Sequence, residues 1–374
     1  MAANKNQHFV PQFLLRAFSS DKRSIEVYLT NRRKHISKAS IERQCSKDYF
    51  YGKDLAAEKA LQKLETKFSV MFNRFKSGFI SNESIELCHL FILLQMARTE
   101  KAAETSLSLK RSIIGKISDL QKENEVFKDF KIPELISDIT NNAIENLEIA
   151  ASLLPYLKDF PVQMISNETE YAFIISDNPV IFANPKFQNR PGSVGIGIIG
   201  IHFLCPISPH TCLFVYDPEI YRPLSTGSAN ETKMRNKSVI DSINRATICN
   251  SYNSVYYSPD TKREYIDYLC SNIQKSSTEN LCDVIHDNAT DIIRAKQHRI
   301  APKYCRGYYL FKKTKITSPK IRDIGLYIRL RAFNESVSLG HYKSTDFELF
   351  NSFESTETIA KYYIKSNNRR ILVM

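Results

Sequence analysis

Apolar positions in the first third of the chain recur with the period of an α-helix. Phe9, Phe13, Leu14, Ala17 and Phe18 share one face, which predicts a buried helix. Pro11 suits its first turn, where a missing N–H costs nothing. Residues 24–29 alternate with period two and predict a strand. Residues 49–52 predict a second, short aromatic strand paired with it. Residues 55–75 set Leu61, Leu64, Phe68, Met71, Phe72 and Phe75 on one face of a long helix. Ser81 or Asn82 caps the next helix, with Glu83 and Glu86 in its first turn. That helix is apolar over a broad surface through Leu87, Leu90, Phe91, Leu94 and Ala97, as expected of a central element. Further helices are predicted over 106–127 and 134–154, the second bounded by Pro133 and Pro155.

After Pro161 the period changes. Residues 163–166, 170–175, 180–183, 195–204 and 211–216 read as strands, with a turn at Ser176-Asp177-Asn178-Pro179. A helix is expected over 231–250, a strand over 254–257, and helices over 261–274 and 278–299. The blocks are segregated, so the expected class is α+β: a helical block (about 55–155) on a mainly antiparallel sheet (about 162–258). Residues 1–260 form the main domain. Residues 261–374 form a helical and basic β-rich extension packed on the same core.

The chain has 374 residues, 43% hydrophobic and 25% charged, with a net charge of +12. That surplus favours an anionic partner such as nucleic acid, or else is a solvated basic surface. Eight cysteines include no Cys-x-x-Cys pair and read as reduced core thiols, which points to the cytoplasm. Residues 194–207, the longest apolar run, are too short to cross a membrane. Phosphate-cradling glycine loops, dinucleotide fingerprints and Gly-x-Ser-x-Gly elbows are missing. ATPase, dehydrogenase and serine-hydrolase chemistry is therefore not expected.

Several polar residues sit among apolar ones. Gln7 and His8 fall just outside the first helix, where the positive helix end lowers the pKa of His8 and favours an anion. Glu58 and Glu65 lie on the apolar face of the long helix, as metal ligand or general base, or as half of a buried ion pair. Gln95 and Arg98 lie one turn apart; Arg98 either pairs with Glu65 or clamps a phosphate. Asp177 ends a buried run, as metal ligand or catalyst, or bonded to its own turn. Asn244 faces a ligand or is a helix-surface amide. Lys303 to Arg331 contain nine Lys or Arg against Asp323, interleaved with Tyr304, Tyr308, Tyr309, Phe311 and Tyr327. Lys312, Lys313 and Lys315 are the densest cluster, suited to phosphates beside unstacked bases, or to a basic outer face of a sheet.

His8-Phe9-Val10-Pro11 resembles the His-Tyr-Val-Pro hallmark of a mainly bacterial family, domain of unknown function 4238. Phe9 replaces the tyrosine and removes a hydroxyl, which argues against catalysis at that position. The resemblance extends over about residues 5–260, through Gln95 and Arg98, Ser176 to Pro179, and Pro206-Ile207-Ser208-Pro209. It implies a family and no mechanism. Three functional readings follow. The first is a nuclease acting on RNA or DNA, the toxic effector of a bacterial anti-phage system. There Asp177 and Glu65 hold magnesium or manganese, His8 is general acid or base, and Arg98 stabilises phosphate charge. Gln7, Gln95, Asn244, Lys312, Lys313 and Lys315 would contact the substrate. The second is a non-catalytic nucleic-acid-binding or partner-binding module, its protein partner encoded in the same defence operon. The third is a sensor of a small anionic ligand such as a nucleotide.

Overall fold

Helices and sheets occupy separate blocks, and the fold is α+β. A computed structural model describes residues 5–76, 81–123, 139–187, 190, 195–224, 230–271, 273, 282–287, 290–295, 307–318, 320, 322, 364–366 and 369–373. Two units are distinct. The first comprises Met1–Leu107, Ser137–Ser277 and His298–Lys320, the second Ser108–Ile136, Thr278–Gln297 and Ile321–Met374.

The first unit begins with β1 (Asn6–His8), α1 (Gln12–Arg16), β2 (Ser24–Leu29), β3 (Lys34–Ser40) and β4 (Ser46–Asp48). The helices α2 (Ala56–Lys76), α3 (Asn82–Ala97), the start of α4 (Glu100–Glu123) and α5 (Ile139–Ser152) follow. Then come β5 (Val162–Asn167), β6 (Ile175–Ser176), β7 (Ile181–Ala183), β8 (His202–Ser208), β9 (Thr211–Tyr216), β10 (Tyr221–Pro223) and β11 (Glu231–Met234). The helix α6 (Lys237–Asn250), β12 (Ser254–Tyr257) and α7 (Arg263–Cys270) complete this stretch. The second unit holds β13 (Cys282–Asp287) and β14 (Thr290–Ala295). After β15 (Tyr309–Phe311), which belongs to the first unit, it resumes with β16 (Ile364–Ser366) and β17 (Arg369–Val373). Its sheet has the order β13-β14-β17-β16.

In the first unit a five-stranded sheet has the order β11-β5-β9-β8-β7, antiparallel except for the parallel pair β11–β5. A four-stranded antiparallel sheet has the order β3-β2-β12-β6. The stripe on α2 buries Leu61, Phe68, Met71, Phe72 and Phe75. Phe68 and Phe72 meet Phe91 of α3 edge-on, with centroids 5.2 and 4.8 Å apart. On α3 five consecutive residues, Phe91 to Gln95, are buried, so the second half of this helix is enclosed on all sides, while Glu83 and Glu86 in its first half are exposed. Its N-cap is Ser81, whose hydroxyl accepts from Ser84 N–H at 3.2 Å. Among the described residues no helix is long and apolar enough to cross a membrane. Cys45, Cys88, Cys205 and Cys212 are buried free thiols, and burial pushes each thiol up from its ordinary pKa.

Some elements differ from the pattern-based expectation. Residues 49–51 form a turn, and the strand lies just before it in β4, which pairs with β1 rather than β2. The partners of β2 are β3 and β12. Pro206 lies within β8 and is absorbed by a ladder irregularity between Pro206 and Ser208. Residues 231–250 are not one helix. Four residues form β11, and Asn236 starts the helix by accepting from Ser238 N–H at 2.9 Å. Within 278–299, the described residues 282–287 and 290–295 are strands. Of the basic tract, residues 307–318, 320 and 322 are described, and the remainder lies outside the described residues.

β10 and β15 form a two-stranded antiparallel ribbon with Tyr221 opposite Phe311 and Arg222 opposite Leu310. Its buried side holds Tyr221, Tyr308 and Tyr309 against His202 and Phe214 of the large sheet. Gly307 leads into it at φ +95°, and a Cβ there would fall 2.6 Å from Val239 Cγ2 of α6. Only glycine fits that approach. His202 is fully buried, with Nε2 3.3 Å from Tyr308 Oη. Burial pushes its pKa from 6.5 down to about 3. Below pH about 6.5 the unfolded chain therefore takes up a proton that the folded chain excludes. Stability is intact above that pH and falls by about 1.4 kcal/mol per unit as pH drops toward 3. His202→Phe should flatten the dependence of Tm on pH between 6.5 and 4. An unchanged slope would remove His202 from acid unfolding.

Candidate functional site

Gln7 lies on β1 and is fully buried. Its Nε2 donates to Gly52 O at 2.9 Å and its Oε1 accepts from Tyr51 N–H at 2.5 Å. The amide thus serves as a hydrogen-bond rung that holds the turn at 49–52, where Tyr49 (φ 54°) and Gly52 (φ 99°) are left-handed. Both ends of the amide are engaged with backbone, so it is placed to hold the turn rather than a substrate. Gln95 is also buried. It donates to Phe9 O at 3.0 Å, and its Oε1 has no hydrogen-bond partner among the described residues.

Arg98 is the centre of the cluster. It sits at the C-cap of α3 and is 2% exposed. Nη2 donates to His8 O at 2.6 Å and pairs with Glu65 Oε1 at 2.7 Å, while Nε donates to Tyr51 Oη at 3.2 Å. Tyr51 returns the bond by donating to Arg98 O at 3.1 Å. Burial pushes the Tyr51 hydroxyl up to about 12, so it keeps the proton it donates. Burial opposes the charge of Arg98, but Tyr51 and Glu65 outweigh it and raise its pKa. Of the two alternatives open for Arg98, the structure contains the ion pair with Glu65.

His8 is half-buried beside this pair. Its Nε2 lies 3.1 Å from Glu42 O and 3.2 Å from Gln12 Nε2, contacts that require opposite tautomers. Its pKa is lowered, as the sequence suggested, but for another reason: burial is the largest cause, with Arg98 adding to it. Glu58, one face-repeat before Glu65, is buried. Its Oε1 accepts from Gln62 Nε2 at 3.0 Å, and Oε2 has no hydrogen-bond partner among the described residues. Burial raises its pKa, which favours the neutral acid.

Asp177 is used differently. Its Oδ1 accepts from Tyr252 N–H at 2.7 Å, and its Oδ2 from Asn253 N–H at 2.6 Å and Ser254 N–H at 2.9 Å. The expected turn onto its own backbone is made instead by Ser176, whose Oγ donates to Asn178 O at 2.9 Å. Asn178 accepts from Thr99 Oγ1 at 2.9 Å and donates to Asn250 O at 3.0 Å. Asn250 in turn donates to Asn178 O and Val180 O at 2.7 and 2.8 Å. The Ser-Asp-Asn-Pro segment is therefore a staple joining the start of α4, the end of α6 and the loop into β12. Asn244 is fully buried rather than on a helix surface. It accepts from Ile174 N–H at 3.1 Å and donates to Ala172 O at 2.9 Å and Tyr265 Oη at 3.2 Å. Its amide is committed to these partners rather than offered to a substrate.

The structure thus brings His8, Glu65 and Arg98 together and gives Asp177 and Asn244 other duties. Among the described residues no three His, Cys, Asp or Glu side chains converge as a metal site. Glu65 serves Arg98 and Asp177 serves three N–H groups, so these donors do not fit a magnesium or manganese centre. A groove of about 460 Å³ lies elsewhere, between α2 and α3, walled by Val70, Met71, Leu87 and Leu90. None of the candidate site residues lines it. Lys312, Lys313 and Lys315 stand exposed just after β15. The sequence pattern did not mark Thr99, Asn178 or Tyr51 as network members, since nothing local distinguishes them; their partners are distant in sequence.

A family model described as protein of unknown function (DUF4238) matches residues 6–261. The chain belongs to this family. The DUF4238 match runs from β1 to just short of α7, so it contains the whole Arg98 cluster and the Asp177 staple. The strand β15 and its lysines follow it. No curated protein and no solved structure matches the chain. If Asp177 is a staple, Asp177→Asn should lower Tm, because an amide nitrogen would face a backbone N–H. Asp177→Ala should cost on the order of 3 kcal/mol, from three buried N–H groups left unpaired. Thermal or denaturant unfolding checks both; an unchanged Tm for both variants would return Asp177 to the catalytic candidates.

Proposed function

We propose that this chain is a non-catalytic nucleic-acid-binding module that holds single-stranded segments on the β10–β15 ribbon. The supporting observation is Phe311. It ends the aromatic row of the ribbon at 47% exposure, and Lys186 Nζ stands 5.3 Å from its ring centroid. Leu310 beside it is 54% exposed. Arg222 is exposed opposite Leu310, on the other face of the ribbon from Phe311, and Lys312, Lys313 and Lys315 are exposed just after the strand. An open ring with one cation over it and further cations along the same ribbon suits a stacked base whose flanking phosphates are neutralised. The net charge of +12 is consistent with such a partner.

The non-catalytic part of the reading rests on how the polar cluster is engaged. General acid–base work needs groups free to exchange protons with a substrate. Arg98 and Asp177 are instead committed to internal partners. A nuclease reading keeps one foothold, because His8 and Glu65 remain partly exposed at the edge of the cluster. Incubation of the protein with labelled RNA and DNA, with and without magnesium, separates the two readings: binding without cleavage is expected.

Changing Lys312, Lys313 and Lys315 together to Gln should weaken binding to all oligonucleotides alike. On a single strand, the slope of log affinity against log salt should fall by about 0.7 for each phosphate that is no longer neutralised. Phe311→Ala should weaken binding by about 1–3 kcal/mol while leaving that slope unchanged. Fluorescence anisotropy across a salt series reads both effects. Unaltered affinity and slope in the triple variant would reduce the lysines to a solvated surface.

A further inference from the structure

α6 opens with a cation where a helix disfavours one. Lys237 is its first residue, and no acid shares the first turn. The ammonium lies within a ring of aromatic faces. Nζ is 4.5 Å from the centroid of Tyr171, 4.8 Å from Tyr268 and 5.5 Å from Tyr265. Asp241 Oδ2 closes the remaining side at 2.6 Å. Three aromatic faces and one carboxylate around a single cation is the arrangement by which proteins recognise alkylammonium groups.

The walls are braced independently of the lysine. Tyr265 Oη donates to Asp241 Oδ1 at 2.7 Å and accepts from Asn244 Nδ2 at 3.2 Å. Tyr265 also packs on Tyr171, with centroids 5.0 Å apart. Arg245 stacks on Tyr268 at 4.8 Å and donates to the carbonyls of Tyr268, Leu269 and Ser271, fixing the C-terminus of α7. Lys237 reaches solvent: its side chain is 40% exposed against 11% for Asp241, and the cage is open on that side, where Tyr268 is 49% exposed. A long side chain at a helix start has room to leave, while Tyr265 and Tyr268 have bonds to Asp241 and Tyr171 packs on Tyr265. A methylated ammonium is larger, more apolar and less strongly hydrated than the primary ammonium of lysine, and so gains more from three ring faces.

We propose that Tyr171, Tyr265, Tyr268 and Asp241 form a binding cage for a small alkylammonium group, and that Lys237 of the same chain occupies it as a displaceable internal ligand. Such a group occurs on free quaternary amines and on methylated lysine side chains. Binding goes beyond the nucleic-acid reading and does not depend on it, since the cage shares no residue with the ribbon.

The test uses the full chain with two probes, tetramethylammonium chloride and a short peptide carrying trimethyl-lysine, titrated by calorimetry and ligand-observed NMR. Lys237→Ala should bind at least one probe about tenfold more tightly than the native chain, the preferred probe identifying the source of the group. Adding Asp241→Asn or Tyr268→Ala should abolish that gain. Lys237→Ser, compatible with a helix start, provides the same readout should the alanine variant fold poorly. The native chain gives a separate readout. Saturating probe should release Lys237 and raise its acylation rate, followed by peptide mass spectrometry, with other lysines unaffected. No gain in either Lys237 variant, a gain that survives Tyr268→Ala, or an unchanged acylation rate at saturation would overturn the proposal.

Discussion

A single buried positive charge organises the N-terminal half. Removing a guanidinium from water costs several kcal/mol unless its hydrogen bonds are met inside the protein. Arg98 meets them with a carboxylate from α2, a carbonyl from β1 and a tyrosine hydroxyl from the turn after β4. These three segments and the end of α3 are therefore compatible with one mutual arrangement. A small error in any of them would leave a charge unpaired in the core. The same constraint explains why β1 needs only three residues. Its ladder is short, and Gln7 and Arg98 add the bonds that a longer strand would supply.

Polar side chains bonded to distant backbone recur throughout this unit. Asp177, Asn178, Asn244 and Asn250 each reach the main chain of another segment. They lie where strands are short or ladders stop, at β6, β12 and the extended run before them. Burial of apolar surface is non-directional, and cannot by itself set how such short pieces meet. Directional bonds from asparagine and aspartate supply that orientation.

This division decides what could be read from the chain. α2 was legible because its apolar stripe is long and regular, α3 because it is apolar over a broad surface behind a clear N-cap, and β2, β9 and β12 because their patterns are clean. β3 was not legible: Ile36 is the one large apolar residue in Lys34–Ser40, and the strand exists because β2 offers it an edge. β11 was hidden because its partner β5 lies far back in the sequence and pairs with it in parallel. Within the cluster, polar residues in apolar surroundings marked the right positions, and Arg98 with Glu65 was among the foreseen pairings. What they touch was harder to foresee. Asp177 and Asn244 turned out to hold main-chain groups, which carry no signature in a sequence.

The ribbon strand β15 and the helix α7 lie past residue 261, where the family match stops. Each nevertheless covers part of the matched region. Tyr308 and Tyr309 roof the side of the sheet formed by His202 and Phe214. Tyr265, Ile266 and Leu269 close a separate core with Tyr28, Ile174 and Val255. The limit of recognisable ancestry is thus not a limit of folding. A protein trimmed to the shared region would emerge with two greasy openings, and would be expected to aggregate or to recruit a substitute for what was cut away.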